Sequence, residues 1–406
     1  MFKFLKKLGP GLLFAGAAIG VSHLVQSTRA GASFGYGWVW ALLLIHAIKY
    51  PFFQFAPRYT TSTGENLITG YHRLGRWVLV FYFIMTLFTM FTIQAAVTVV
   101  TAGLAKYLFG IEWSNVVWSA VILLFSAGFL LKGRYQLLDK LMKIIIITLT
   151  ISTLTAFLIG IFQTDKDLGL IQRLPTEAAD VIFLIAFLGW MPAPLDVTIW
   201  QSLWTEEKQK AMGQTFDTKQ SVFDFNIGFI GTIITGLLFI SLGTLAWYNT
   251  PESLSPKAGV FAQQLIAAYK SNLGNIVGFI VGIAALTTMF STTITTLDAS
   301  PRAMSKTFQY LTKTKVDDSY LFWMVILVVG TLIILGFLVT EMGLMIKIAT
   351  IISFLTAPFY AIANLILINS KHVRKKWRPS KLLNIWAIIG IILLFVFDVW
   401  YLTSLF

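Results

Sequence analysis

"AGAAIGVSHLVQSTRAGASFGYG", residues 15–37, begins as an apolar helix, loosens at Gly20, Ser22 and His23, and turns polar at Gln26, Ser27, Thr28 and Arg29. A second stretch, "FLGWMPAPLDVTIWQS" at residues 187–202, is interrupted in the same manner. There Pro192 and Pro194 each remove a helix donor and Gly189 adds slack. A single proline in a membrane helix is ordinarily a kink. Two interruptions at corresponding places carry more weight. Carbonyls and amides freed at membrane depth are costly unless protein, water or substrate satisfies them. Paired broken helices are therefore the sequence mark of a transporter's midplane site.

The rest of the chain supplies the membrane. Hydrophobic residues make up 57% of the 406 positions and charged ones 12%, and the mean hydropathy is +0.77. Runs such as "WVLVFYFIMTLFTMF" and "IGFIGTIITGLLFISLGTLAW" approach or exceed the roughly 20 residues that cross a hydrocarbon core. The pattern predicts an all-α polytopic membrane protein with eleven spans. They lie near 10–30, 36–56, 77–109, 115–131, 138–163, 179–203, 222–247, 275–298, 320–340, 343–369 and 383–405. Five, five and one is the division expected of two inverted repeats and a peripheral last helix. Residues 1–163 then form the first repeat and 164–369 the second, with 370–406 a basic loop and helix eleven.

The net charge of +13 would suggest nucleic acid in a soluble chain, but its placement decides otherwise. Most Lys and Arg fall at the N-terminus and in the loops after even-numbered spans, including "KHVRKKWRPSK". That asymmetry predicts a cytoplasmic N-terminus and an outer C-terminus in a bacterial inner or plasma membrane, with the basic run anchored on an anionic leaflet rather than on nucleic acid. The basic start "MFKFLKK" lacks a cleavage site and is read as retained. The chain contains no cysteine, which excludes disulfides and thiolate ligands. With no phosphate-binding loop, no H-E-x-x-H and no room for a nucleotide domain, no ATP-driven pump is expected from this chain alone. No acid, base and nucleophile cluster points to an enzyme, and no cofactor is expected.

The fragments "GPGLLFAGAAIG", "AGASFGYGWVWALLL", "YLFGI", "GRYQLLDKLMKIIIITL", "WMP", "STTITT" and "LTAPFYAIANLIL" together resemble the NRAMP family of divalent-metal transporters. They occur in family order from residue 9 to about 366. The resemblance implies a LeuT-like architecture with helices one and six broken. It also implies a metal site built from a D-P-G-N stretch in span one and, in span six, a Met with a backbone carbonyl three residues before it.

Here the first stretch reads Gly20-Val21-Ser22-His23, so the Asp and Asn positions hold Gly20 and His23. In span six Met191 is kept, the carbonyl falls on Leu188, and the family His is Ala193. The acidic pair of the family's proton route falls on Gln94 and Val97, so family-type proton coupling is expected to be weak or absent. A hard dication wants anionic oxygen. An imidazole and a thioether, His23 and Met191, would suit a softer ion such as Cu(I).

The broken helices also offer amide ends that favour anions. Residues 16–22 loosely resemble the G-x-x-I-G-x-G break of amino-acid transporters on the same architecture. The expectation is thus a secondary transporter of a small ion or solute. A metal cation leads by inheritance, and a small anion such as bicarbonate, or an amino acid, is the alternative. A receptor or channel on the same scaffold is the second alternative.

The candidate substrate residues are Gly20, Ser22, His23, Gln26, Leu188, Met191, Asp196 and Thr198. His23 stands out because intramembrane ionisable groups are usually functional, although packing against a freed carbonyl is the plain reading. Asp196 equally suits a helix N-terminus, and Met191 equally suits filler. Arg29 fits an entrance or an interfacial anchor. Ser291, Thr292 and Thr295 are expected to bond to carbonyls one turn earlier. Lys347, near a helix end, and Asp398, in the last helix, are not first candidates.

Overall fold

The computed structural model describes residues 9–162, 168–213, 217–250, 254–255, 257–312, 319–338 and 342–403. The first span is split as its sequence suggested. α1 (Pro10–Ala18) ends at Ile19, and the chain re-enters helix through a π-helical turn, Ser22–Ser27, that leads into α2 (Thr28–Phe34). α3 (Val39–Thr63), α4 (Leu67–Leu74) and α5 (Arg76–Phe109) follow. α6 (Asn115–Phe162) holds the fourth and fifth expected spans in one run of helical backbone. The sixth span is α7 (Ala178–Trp190) and α8 (Val197–Met212), parted by residues 191–196.

The remainder is α9 (Thr218–Trp247), α10 (Ala258–Leu273), α11 (Asn275–Thr312), α12 (Tyr320–Ile333), α13 (Met342–Leu355), α14 (Ala357–Asn369) and α15 (Lys381–Thr403). The tenth span is thereby divided too, bent by 41° between α13 and α14. Pro358, which lacks a donor, sits in the first turn of α14. α10 is not among the eleven expected spans. Phe261, Leu265 and Tyr269, one turn apart, give it a buried face. By length and apolarity eight helices among the described residues can cross a bilayer, or nine with the bent pair counted once. The count of eleven is therefore not confirmed. Spans one and six are not counted separately: the second half of span one runs on with span two as one helical stretch, Ser22–Thr63, and the halves of span six are each too short.

Close backbone contact fixes the first span to α9. A Cβ on Gly11 would stand 2.2 Å from Asp224 O, and one on Gly228 would stand 2.1 Å from Gly11 O. At the far end, a Cβ on Gly31 would meet Ile240 O at 2.1 Å and one on Gly243 would meet Thr28 O at 2.2 Å. Small residues of this kind let membrane helices approach closely where dispersion must replace the hydrophobic drive. Asp224 also caps α1, accepting from Gly9 N (3.0 Å) and Gly11 N (2.9 Å). Its charge complements the positive helix end. α15 lies outside, against α3, with Trp386 Nε1 donating to Ala47 O at 2.8 Å.

The basic segments gather at one end of the bundle. Arg58 donates to Trp377 O at 3.5 Å, Asn66 donates to Glu206, and Thr69 meets Tyr310 at 2.9 Å. Deeper at this end, Asp298 is fully buried and accepts from Trp204 Nε1 (2.9 Å), Arg302 Nη2 (2.6 Å) and Tyr320 hydroxyl (2.9 Å). A cavity of about 630 Å³ opens beside this cluster, between α8, α11 and α12.

Candidate functional site

The breaks in spans one and six face each other across a small cavity of about 30 Å³, room for about one water. Its walls come from α1 and the first turn after the break (Ala17, Ala18, Gly20, Val21, Ser22), α5 (Ile93, Val97), the sixth span (Trp190, Ala193, Pro194, Val197, Trp200) and α11 (Thr292, Thr296). No ionisable side chain lines it. Gly20 begins the second half of span one, since its carbonyl accepts from His23 N (3.1 Å) and Leu24 N (2.8 Å). The first two amides of that helix, Val21 and Ser22, thus lack an intrahelical acceptor by geometry, and both residues line the cavity. Trp200, also a wall residue, has an indole N–H with no hydrogen-bond partner.

The carbonyls freed in span one are met by α11. Ser291 donates to Gly16 O at 3.0 Å, and Thr292 Oγ1 lies 3.3 Å from Gly16 O and 3.2 Å from Ile19 O. Thr295 does only what its sequence suggested, donating to Ser291 O at 2.7 Å. Thr292 also occupies the space next to Gly20. A Cβ there would meet its Oγ1 at 2.3 Å and its own Cβ at 2.9 Å, so the position where the family carries Asp has no room for a side chain until Thr292 shifts.

In span six the freed carbonyls are met by Lys49 of α3. Its ammonium donates to Leu188 O (2.9 Å), Gly189 O (2.8 Å) and Ala193 O (3.2 Å), and the side chain is fully buried. All three of its N–H donors are used. The carbonyl that the resemblance assigns to a metal, Leu188, is therefore held by a cation the chain itself provides.

The other sequence candidates are placed around the cavity, not in its wall. His23 turns toward α9, its Nε2 donating to Thr232 O at 3.1 Å and its Nδ1 lying 2.7 Å from Ser22 Oγ. Thr232 links it to a second buried histidine, His46, whose Nδ1 donates to Leu42 O at 2.7 Å and whose Nε2 lies 3.4 Å from Thr232 Oγ1. Met191 is fully buried in the apolar core, and its peptide bond to Pro192 is cis. Thr198 receives a bond from Asn364 Nδ2 (3.1 Å), itself bound by the Tyr71 hydroxyl (2.9 Å). Asp196 stands at the N-cap position of α8 without a side-chain capping bond, one of its carboxylate oxygens is unpartnered, and it makes no ion pair among the described residues.

Gln26 is buried beyond the break with its carbonyl oxygen unpartnered. Gln94 reaches Thr98 Oγ1 (3.1 Å) and Thr293 O (3.3 Å). Of the positions of the family's proton route, Val97 and Ala193 face the cavity. Arg29 donates to Leu254 O at 3.2 Å. Of the named substrate candidates, Gly20 and Ser22 thus line the cavity together. Among the described residues no group of three or more His, Asp or Glu side chains is placed to hold a metal ion. Lys49 and His46 are the members that the sequence reading missed. Their signal was present, as two ionisable residues inside the apolar run "LLLIHAIKYPFF".

The sequence profile described as natural resistance-associated macrophage protein-like, Nramp, matches residues 11–404. An uncharacterised protein of Pasteurella multocida (strain Pm70) is 33% identical over 399 residues, which is 96% of this chain and 91% of that protein. Among solved structures, a mutant manganese transporter of Eremococcus coleocola superposes with a TM-score of 0.70 at 15% identity, over 98% of this chain and 86% of the other. MhsT in complex with L-phenylalanine gives 0.65 at 14% identity, over 96% and 98%. Mhp1, a nucleobase-cation-symport-1 family transporter with bromovinylhydantoin bound, gives 0.63 at 12% identity, over 98% and 91%.

Proposed function

The chain belongs to the Nramp family and has the LeuT-like fold of integral membrane transporters, and from that premise we propose a secondary transporter that carries a small anion by alternating access. Bicarbonate is the type of solute meant. One observation carries the choice: the cavity between the breaks offers hydrogen-bond donors and no carboxylate. Among its wall residues Val21 and Ser22 begin a helix whose first amides have no intrahelical acceptor, Trp200 has an unpartnered indole, and Lys49 adds a positive charge behind Ala193. Oriented amides and a nearby ammonium attract an anion that water no longer screens. A dication placed there would meet no anionic oxygen.

Gln94, Val97 and Ala193 hold no exchangeable carboxylate or imidazole proton, so coupling by the family's proton route is absent in this reading. The two inverted five-helix repeats are 1–163 and 164–369, with the N-terminus cytoplasmic in a bacterial inner membrane. A second reading, transport of a metal cation, is favoured by family membership and by the fold shared with the Eremococcus coleocola manganese transporter.

Uptake of labelled bicarbonate, nitrate and Mn²⁺ into proteoliposomes separates the two. The expected result is saturable uptake of an oxyanion, stimulated by the same anion inside, with Mn²⁺ at the level of empty vesicles. Saturable Mn²⁺ uptake without oxyanion flux would establish the second reading. Flux that never saturates would mark a channel, and binding without flux a receptor.

A further inference from the structure

Lys49 holds the carbonyls of Leu188, Gly189 and Ala193 within 3.2 Å. These oxygens come from one end of a helix break and from the break itself, where Ala193 lies. Two come from the C-terminal turn of α7, where the helix dipole is negative. Unwound carbonyls at such an end form a cage for a monovalent cation in broken-helix carriers. Three carbonyl dipoles around one positive charge make a cation site whose occupant is covalently attached to α3.

We propose that Lys49 is a resident cation: its ammonium fills a cage that would otherwise bind a free monovalent cation, so that the wild-type protein works without Na⁺ and Lys49 is the residue that excludes it. The burial of a lysine in an apolar helix then has a reason. A lone ammonium at that depth is expensive. Three carbonyls left without a donor would also be expensive, and each removes the other's penalty. The inference concerns cation binding and holds for either substrate; only its flux arm rests on the transporter reading.

The test replaces the ammonium with a neutral chain of similar reach, Lys49→Met, and follows thermal unfolding of the purified protein in NaCl against N-methyl-D-glucamine chloride. The variant is expected to melt about 3 °C higher at saturating Na⁺, with a saturable dose dependence, while the wild type is indifferent. Lys49→Gln, whose amide can still donate to the cage, is measured alongside and should respond in the same direction if Lys49→Met does not fold. In proteoliposomes the uptake retained by the variant should become Na⁺-dependent by about tenfold.

Identical melting in the two salts for whichever variants fold, or an equal Na⁺ response in the wild type, overturns the proposal. Failure of both variants to fold in either salt overturns it as well, because Na⁺ should then have supplied the missing charge. A response to Mn²⁺ and none to Na⁺ overturns the monovalent assignment. Wild-type vesicles without any flux would defeat the transport reading while leaving the melting comparison intact.

Discussion

At the break in the first span, the stranded carbonyls of Gly16 and Ile19 are met by the hydroxyls of Ser291 and Thr292 from α11. At the break between α7 and α8, those of Leu188, Gly189 and Ala193 are met by the ammonium of Lys49 from α3. The two breaks pose the same backbone problem, and the difference lies in charge. A hydroxyl satisfies a carbonyl and leaves the local field unchanged. An ammonium satisfies three at once and leaves a positive potential at the cavity wall. A metal transporter needs negative potential there, and in this chain the two breaks together supply none from side chains in the wall.

Three substitutions test that contrast through stability, read as thermal or denaturant unfolding in one detergent. Lys49→Ala should cost most, about 3–5 kcal/mol, because it strands three buried carbonyls at once. Thr292→Val, isosteric and neutral, should cost about 1 kcal/mol, since Ser291 still reaches Gly16 O. Equal losses for these two would erase the distinction between the breaks. Asp224→Asn should cost least, about 0.5–1 kcal/mol, because it removes the charge at the start of α1 and keeps an acceptor for one of the two capped amides. A loss as large as that of Lys49→Ala would mean that the end of α1, and not the midplane, holds the bundle together.

Much of this was legible in the chain. Gly20 and the Pro192/Pro194 pair announce breaks because glycine and proline act on the backbone locally, whatever surrounds them. Apolar runs announce spans for the same reason. What the sequence left unread depends on direction and partners. His23 occupies the expected place along the helix, but the π-helical turn that begins at Ser22 sends its ring to Thr232 and away from the cavity. Leu188 supplies the expected carbonyl, yet nothing local to "FLGWMP" tells that Lys49, 139 positions earlier, will take it. Thr292 was expected to bond within its own helix, and its closeness to Gly20 arises only when α11 crosses the first span. The count of eleven stays unconfirmed for a different reason: length and apolarity, by which eight or nine spans are counted among the described residues, do not register a helix broken in two.

The glycine contacts between the first span and α9 bear on how such a protein can work at all. Gly11 against Gly228 rivets one half of the broken helix, and Gly31 and Gly243 rivet the other. A rod bolted at both ends to a straight beam has no freedom at its middle, whatever gap is cut there. In the transport cycle proposed above, the interruption at Gly20 is then a berth and not a joint: the stroke carries α1, α2 and α9 as one girder, and the compliance has to be sought elsewhere.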